Sequence, residues 1–327
     1  MGKEAGSSDW FNMRDSDSEQ PDCYSNDWAE LSWSHWIPLG YDRDIPKKPG
    51  IYRIRHTSEE RPWLERIGIT DQEDGLRGRI LYQLASHVYE DKKTQIPFPD
   101  RPGTEPHKAA PCINAISKEY SDAGRLEFSY ARPDRITSEW WREGLEDALV
   151  ALHRREIGHS PTCFQGRMIP GYEDWDLRFG TEGVTADATE GPEPLDWESN
   201  ESPTADDWMG MDWTKPRPLS EINEVDLPAD FGVYRTWYQN RPVDFDSNPL
   251  AYIGEGDLIN RLVEDDDSRL VENGSHVLFS IAECPPGVDS TRKRKEIETE
   301  LIGAHQYVLG HPPLGQYCNS FYVAPDF

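Results

Sequence analysis

The sequence predicts an α/β (α+β) protein with two small domains, each a short and mainly antiparallel sheet flanked by helices. Two observations indicate this fold class. The chain has 327 residues, which exceeds the usual size of one hydrophobic core. It also contains a repeat, and each copy has the pattern strand, strand, helix, strand, helix. We therefore expect two cores of the same design.

The repeat is clearest at the beginning and the end of each copy. Residues 46–53 align with residues 228–235 at a constant offset of 182 positions, and the segments end in Gly-Ile-Tyr-Arg and Gly-Val-Tyr-Arg. Residues 146–161 align with residues 298–313 at a constant offset of 152 positions. Glu, Leu, His, Gly, His and Pro agree in this second pair. The smaller second offset indicates that the second copy has a shorter middle section.

Sequence patterns predict three strands and two helices in each copy. The expected strands are Gly50–His56, Leu64–Thr70 and Leu126–Ala131 in the first copy, and Gly232–Tyr238, Leu250–Gly254 and His276–Ala282 in the second. One helix is expected to begin near Asp74 and its counterpart near Asp257. The last helices are expected over Glu139–Ile157, before Gly158, and over Arg292–Val308, before Gly310.

Polar segments set the expected domain boundaries. Residues 1–27 are rich in Ser, Asp and Glu and are expected to form a disordered acidic tail. Residues 173–212 are also acidic and contain Gly, Ser and Pro, which favours a linker. The first domain is then residues 28–172, and the second is residues 213–327.

The chain is strongly acidic, with 34 Lys and Arg against 61 Asp and Glu and a net charge of −27 at pH 7. Such a charge repels nucleic acid, because phosphate binding depends largely on Lys and Arg. The acidic residues occur throughout the chain, in runs such as Glu264–Asp267, as in proteins of salt-rich cytoplasms. At ~1 M salt the Debye length falls to about 3 Å, so net charge matters less than local contacts. The alternative is an ordinary acidic protein whose partner is not nucleic acid.

Cysteine usage and the lack of long apolar runs favour a cytoplasmic protein with no membrane partner. The five cysteines are odd in number and include no Cys-x-x-Cys pair, so neither a disulfide framework nor a zinc ribbon is predicted. No stretch approaches the ~18–20 apolar residues of a membrane span, and no apolar signal region follows Met1.

Four short motifs occur in order in the second copy: Gly232–Tyr234, Tyr252–Gly254, Leu258–Arg261 and Glu298–Ile302. Together they resemble the GIY-YIG nuclease family, in which two strands carry Gly-Ile-Tyr and Tyr-Ile-Gly and two helices carry Leu-x-x-Arg and Glu-x-x-Leu-Ile. Each motif alone is ordinary strand or helix sequence. The ordered set, repeated in part in the first copy, is what indicates the family.

The resemblance implies a site that hydrolyses DNA phosphodiesters with a divalent cation, Mg²⁺ or Mn²⁺. Tyr234 would accept a proton from water, and Tyr252 would orient the nucleophile or the phosphate. Arg261 would stabilise charge on the phosphate oxygens, and Glu298 would bind the cation. These residue types suit the reaction, because a guanidinium and a cation near a phenol favour the phenolate, and Mg²⁺ requires few protein ligands.

The first copy matches the same pattern less completely. Tyr52, Arg79 and Glu146 stand at the positions of the first tyrosine, the arginine and the glutamate. They are candidate catalytic residues, and Glu146 is a second candidate metal ligand. Arg66 stands where the family has its second tyrosine, so we expect the second domain to be the more active one.

Family members also carry an asparagine three residues after the proline that follows the glutamate helix. This chain has Phe164 after Pro161 and Gln316 after Pro313. The second copy therefore keeps an amide at this position, and the first copy does not.

Positive charge gathers near the proposed sites. The run before Glu298 is a candidate nucleic-acid-binding segment and consists of Arg292, Lys293, Arg294 and Lys295. A second group is expected around Glu146 and consists of Arg132, Arg135, Arg154 and Arg155. The alternative role for both groups is ion pairing with neighbouring glutamates.

Two histidines near the end of the last helix repeat between the copies. They are His153 and His159 in the first copy and His305 and His311 in the second. Because no cysteine or carboxylate spacing of a metal site accompanies them, we expect packing roles rather than metal binding.

These patterns predict a divalent-metal-dependent DNA endonuclease that acts mainly through the second domain. The alternative is a catalytically inactive protein on the same fold that binds nucleic acid or another protein, which the departures at Arg66, Phe164 and Gln316 favour. A third class is an acidic adaptor that uses both domains only as scaffolds.

Overall fold

The computed structural model describes residues 22–41, 45–88, 107, 109–133, 138–164, 167, 190–199, 202–224, 230–238, 250–268 and 277–317. These residues form two four-stranded antiparallel sheets with helices packed on them. The predicted α+β fold class is thereby confirmed. No helix in these ranges is both long enough and apolar enough to cross a membrane.

The first half contains one sheet with the strand order β1-β4-β2-β3. Its strands are β1 (Ile37–Pro38), β2 (Gly50–His56), β3 (Leu64–Thr70) and β4 (Leu126–Ala131). Its helices are α1 (Gly75–Arg77), which continues as a π-helix (Gly78–Ala85) into α2 (Ser86–Val88), then α3 (Ala110–Glu119) and α4 (Glu139–Ile157). Short 3₁₀ turns precede the sheet at Asp22–Tyr24 and Trp28–Glu30. The three long strands and α4 have the predicted bounds, whereas the sequence pattern did not indicate β1 or α3.

The second half repeats this topology, with the strand order β5-β8-β6-β7. Its strands are β5 (Arg217–Pro218), β6 (Phe231–Tyr238), β7 (Tyr252–Asp257) and β8 (Val277–Ala282). Its helices are α5 (Leu258–Ser268) and α6 (Thr291–Leu309), with 3₁₀ turns at Trp208–Gly210 and Leu219–Glu224. The bounds of β6, β8 and α6 are close to the predicted ones, and β7 begins and ends later than predicted.

The two long helices α4 and α6 begin and end in the same way. Ser138 and Ser290 are N-caps, because each side-chain oxygen accepts a hydrogen bond from a backbone N–H in the first turn. Gly158 and Gly310 follow the last turn with φ of 92° and 77°, in the left-handed region. Residues with a Cβ rarely adopt this conformation, so the repeated glycines end both helices at corresponding positions.

The folded cores extend beyond the predicted domain boundaries. Cys23, in the predicted tail, is fully buried in the first core. Trp208 and Met209, in the predicted linker, are only 1% and 3% exposed and belong to the second core. The predicted tail and linker therefore need correction over residues 22–27, 190–199 and 202–212. Acidic composition concealed the few large apolar side chains that these segments bury.

A repeated arrangement of tryptophan and arginine holds these extra segments. The guanidinium of Arg53 on β2 lies 4.2 Å from the ring centre of Trp33 and donates to two backbone carbonyls of the segment before β1. Arg235 on β6 lies 4.2 Å from Trp213 and makes equivalent backbone contacts. Carbonyl oxygens and an aromatic face thus partly satisfy each buried charge, whereas each Nε has no hydrogen-bond partner among the described residues. The signal was available in the sequence, since Asp-Trp-x-x-x-x-Trp occurs in both halves at an offset of 180 positions.

The two halves pack against each other through α4 and α6. Arg154 of α4 is fully buried there, with Nη1 2.6 Å from Glu296 and Nε 2.9 Å from Glu300 of α6. The helices approach closely because Gly303 has no side chain, and an added Cβ would lie 2.5 Å from the carbonyl oxygen of Asp147. The expectation that Arg154 serves the first candidate site needs correction, because its charge is used between the halves.

Candidate functional site

The glycines of the tyrosine motifs provide space for a tyrosine ring. Tyr234 on β6 pairs in register with Gly254 on β7, and its ring lies over that glycine. A Cβ added to Gly254 would lie 2.5 Å from Tyr234 Oη. The first half has the same arrangement, since a Cβ on Gly68 would lie 2.5 Å from Tyr52 Oη. Tyrosine on one strand and glycine opposite it on the next therefore form one packing unit.

The two tyrosines of the second half lie on the same face of their sheet. Tyr234 and Tyr252 stack with ring centres 6.0 Å apart, within an apolar cluster that includes Leu258 and Leu262 of α5. Tyr234 is fully buried, whereas Tyr252 is 9% exposed. Tyr252 therefore retains a small exposed surface, which Tyr234 lacks.

Arg261 of α5 lies beside the same strand. Its side-chain carbons pack over Gly256, where an added Cβ would be 3.4 Å from Arg261 Cγ. Gly254 and Gly256 are two residues apart on β7, so they face the same side of the sheet. The predicted arginine therefore shares a face with the two tyrosines.

Glu298 of α6 interacts electrostatically with Arg261, although α6 itself packs on the opposite face of the sheet, with Val233 and Ile253. Burial raises the pKa of Glu298 to about 8, repulsion from Glu255 adds to the rise, and the positive charges of Arg261 and Lys295 oppose it. The residue keeps some accessible surface even though protein atoms surround its carboxyl closely. The structure thus stacks the two tyrosines on one face of the sheet and places the glutamate on the helix of the other face, within electrostatic range of the arginine.

Glu255 is a residue of this site that the sequence pattern did not indicate. It follows the Tyr-Ile-Gly motif on β7 and repels the carboxylate of Glu298. Arg294, 2.9 Å away, balances the charge of Glu255. The sequence does show an acidic residue directly after the motif. That this residue lies near Glu298 follows only from the packing of α6 on β7.

The corresponding residues of the first half also converge. Arg66 forms an ion pair with Glu146 at 3.0 Å. Burial raises the pKa of Tyr52, and the charges of Arg66 and Arg79 oppose the rise, so both guanidinium groups lie near this phenol. Burial likewise raises the pKa of Glu146 against the same two arginines. Within the described part of the chain, the buried Tyr52 hydroxyl has no hydrogen-bond partner of normal geometry.

The two glutamates differ in their availability to a cation. Glu146 is already paired with Arg66, whereas no Lys or Arg in the described ranges lies within ion-pair distance of Glu298. The described residues contain no group of three or more His, Cys, Asp and Glu side chains arranged to hold a metal ion.

The basic run Arg292–Lys295 is only partly available to a ligand. Arg294 is 9% exposed and paired with Glu255. Lys293 pairs with Asp289 at 3.1 Å and donates to a backbone carbonyl. The charge of Arg294 is therefore used within the protein, whereas Lys293 stays partly exposed, and the nucleic-acid-binding role of the run stays a prediction. The other two members of the run keep partly exposed side chains.

Backbone groups occupy both ring nitrogens of His153 and His305. Nε2 accepts the N–H of Leu64 in the first half and of Leu250 in the second, each at 3.1 Å. Nδ1 lies 2.8 Å and 3.0 Å, respectively, from a carbonyl oxygen just after the helix. Burial lowers the pKa of each imidazole to about 3. Both residues are therefore neutral and join the last helix to the sheet, which matches the packing role expected from the sequence.

The amide of Gln316 serves the backbone of β7. Its Oε1 accepts the N–H of Ile253 at 3.2 Å, between Tyr252 and Gly254. Phe164, at the corresponding place in the first half, is buried in the core. Gln316 therefore holds the strand that carries the second tyrosine.

A comparison of the chain with models of known protein families, with curated proteins and with solved structures finds no match. The resemblance to the GIY-YIG family therefore rests on the motifs and on the arrangement of their residues. Those residues converge in the first half, and in the second half the tyrosines stack and the glutamate lies within electrostatic range of the arginine. Only the second half has a tyrosine at each of the two tyrosine positions.

Proposed function

We propose that the protein is a divalent-metal-dependent DNA endonuclease whose active site lies in the second half. One observation carries this proposal: the two tyrosines of the motifs stack on one face of the sheet, the arginine packs beside them, and the glutamate lies within electrostatic range of that arginine. Phosphodiester hydrolysis requires a proton acceptor, relief of charge on the phosphate oxygens and a group that holds a cation. This set of side chains can supply all three.

The side chains divide these tasks according to their surroundings. The sequence pattern gave the proton-accepting role to Tyr234, but its ring is fully buried. We assign that role to Tyr252, which retains solvent contact and which Tyr234 supports by stacking. Arg261 neutralises charge on the phosphate and favours the phenolate of a nearby tyrosine.

Glu298 is the residue that would hold Mg²⁺ or Mn²⁺. When bound there, the cation supplies a positive charge that polarises the leaving oxygen. Because the pKa of Glu298 is about 8, its carboxyl group is protonated at neutral pH. Cation affinity is therefore expected to rise with pH up to about 8.

The same position in the first half is proposed to be inactive. Its carboxylate, Glu146, is neutralised by Arg66, which replaces the second tyrosine. This ion pair favours the alternative function, binding of nucleic acid or protein without cleavage, for the first half alone. The second half lacks this ion pair, because Tyr252 stands at the position of Arg66, so the non-catalytic alternative has no such support there.

The acidity of the chain limits the conditions for DNA binding. A net charge of −27 repels phosphate, and ~1 M salt reduces the range of that repulsion to about 3 Å. We therefore propose that the protein binds and cleaves DNA in a salt-rich cytoplasm. Arg261 and the partly exposed members of the basic run would provide the local attraction.

A plasmid assay tests the proposed function. Full-length protein is incubated with supercoiled plasmid in ~2 M KCl with Mg²⁺ or Mn²⁺. We expect nicked or linear DNA, and no product when EDTA removes the cation. Tyr252→Phe is expected to lower the rate by about 100-fold or more, because the proton acceptor is lost.

Tyr52→Phe is the control, since it removes a phenol hydroxyl from the first half at the position equivalent to Tyr234, and the position equivalent to Tyr252 is Arg66. We expect it to cleave at the wild-type rate. Equal cleavage by wild type and Tyr252→Phe would overturn the proposal. A mobility shift on DNA without cleavage under any of these conditions would favour the non-catalytic alternative.

A further inference from the structure

The segment Leu314–Tyr317 lies along the beginning of β7. Leu314 and Gly315 donate their N–H groups to the carbonyls of Leu250 and Ala251, at 3.0 Å and 2.7 Å. Gln316 Oε1 then accepts the N–H of Ile253 at 3.2 Å. Hydrogen bonds from this segment therefore lie on both sides of Tyr252 in the chain.

Tyr317 connects this segment to the other half of the molecule. Its backbone has φ of 64°, in the left-handed region that a tyrosine seldom adopts. Its hydroxyl donates to Oδ2 of Asp147 on α4. Asp147 follows Glu146 in the chain and lies where Gly303 lets α6 approach α4. The first half thus provides the anchor for a segment that holds the second candidate site.

The surroundings of Asp147 distinguish it from an ordinary surface aspartate. Burial raises its pKa well above the usual range, and the hydrogen bond from Tyr317 opposes this rise. Glu143, Glu146 and Glu298 add further repulsion. Such a carboxyl is costly to bury, so the contact with Tyr317 is the main compensation that the described residues provide.

We propose that Asp147 of the first half is a positioning residue for the active site of the second half. Through Tyr317 it fixes the segment that ends in Gln316, and this segment fixes the part of β7 that carries Tyr252. In this arrangement the catalytically inactive copy is required by the active copy as a fixed support. The catalytic part of this inference rests on the proposed function, and the structural part does not.

Amide hydrogen exchange on the full chain tests the structural part. Tyr317→Phe removes the anchoring hydroxyl and is expected to accelerate exchange of the Ile253 amide by about tenfold. The Ile281 amide on β8 is the internal control, because the side chain of Thr214 holds it, away from this segment. We expect its exchange rate to stay unchanged.

Substitutions at the other end of the contact complete this experiment. Asp147→Ala is expected to accelerate the Ile253 amide as Tyr317→Phe does. Asp147→Asn retains an acceptor oxygen and is expected to stay near wild type. Unchanged exchange at Ile253 in both Tyr317→Phe and Asp147→Ala would overturn the proposal, and so would equal acceleration at Ile253 and Ile281.

The cleavage assay tests the catalytic part. Tyr317→Phe is expected to lower kcat by about tenfold with KM unchanged, because the misplaced tyrosine affects the reaction more than DNA binding. Asp147→Asn is expected to cleave at nearly the wild-type rate. A change confined to KM would contradict a positioning role. If wild type does not cleave DNA, the proposed function fails, and the exchange measurement still decides whether Asp147 holds β7.

Discussion

The two repeated glutamates experience different electrostatic surroundings. Glu146 has the guanidinium of Arg66 at 3.0 Å, whereas Glu298 is repelled by Glu255 and has a pKa of about 8 in place of the ordinary 4.5. Between about pH 4.5 and about 8 the folded state therefore holds a proton that the unfolded state releases. The free energy of unfolding consequently falls as pH rises through this window.

Glu298→Gln is expected to stabilise the protein above pH 8 by about 1–3 kcal/mol, because a neutral amide avoids the buried charge. The gain should shrink toward zero near pH 4.5, where the wild-type carboxyl is protonated as well. Urea unfolding across this pH range measures the difference. Glu146→Gln is the matched control and is expected to destabilise, since Arg66 loses its partner. A gain from Glu298→Gln that does not vary with pH would contradict this explanation.

Sequence patterns identified the motif residues but not their neighbours. Tyr252, Arg261 and Glu298 could be named because their order along the chain matches a known pattern. Glu255 and Asp147 could not, because they reach the site through the packing of α6 on β7 and on α4. The complete burial of Tyr234 was hidden for the same reason, since it depends on how α5 covers the sheet.

Among the elements, α4 and α6 determine how the two halves meet. The buried guanidinium of Arg154 lies between Glu296 and Glu300, and Ser160 donates a further hydrogen bond to Glu296. Removal of one partner from a buried ion pair leaves a charge that neither water nor protein satisfies. The helix pair is therefore sensitive to this single arginine.

Arg154→Ala is expected to lower the free energy of unfolding by about 3–5 kcal/mol. The adjacent Arg155 provides the control, because its partly exposed guanidinium rests on the ring of Trp197 at 5.4 Å. Arg155→Ala should cost less than about 1 kcal/mol. Urea unfolding at fixed salt measures both variants. Equal losses would show that the buried ion pairs do not control the joining of the halves.

The helices and strands were predicted correctly where the apolar periodicity was strong and a glycine marked the end of the helix. The long helices α4 and α6 follow apolar periodicity and end at Gly158 and Gly310. The tryptophan segments before β1 and β5 were not recognised, because acidic residues dominate their composition. These segments are folded because they make long-range contacts with Arg53 and Arg235, and local composition does not reveal such contacts.

For the whole molecule, the sequence indicated two copies but not how they join. The repeated motifs predicted two similar sheets, and both have the same strand order. The buried ion pairs of the interface join Arg154 on one side to Glu296 and Glu300 on the other, which are not equivalent positions of the repeat. The repeat in the sequence could not predict this contact, because aligning the two copies reveals only the residues that they have in common.

The net charge predicts a dependence of stability on salt. At −27 the folded chain repels itself, and added salt screens that repulsion. We expect the midpoint of thermal unfolding to rise by about 10 °C or more between about 0.2 M and about 2 M KCl. Sucrose is the control, because it favours compact states without screening charge. A midpoint that rises with sucrose but not with KCl would contradict a role for screening.

Whether the second half alone carries the reaction is decided by single-turnover cleavage of DNA with Glu298→Gln and Glu146→Gln at saturating Mn²⁺. The two substitutions make the same chemical change at corresponding positions of the two halves. We predict a loss of about 100-fold or more for Glu298→Gln and a change of less than about threefold for Glu146→Gln. Wild-type cleavage by Glu298→Gln, or a large loss confined to Glu146→Gln, would contradict the assignment of the active site to the second half.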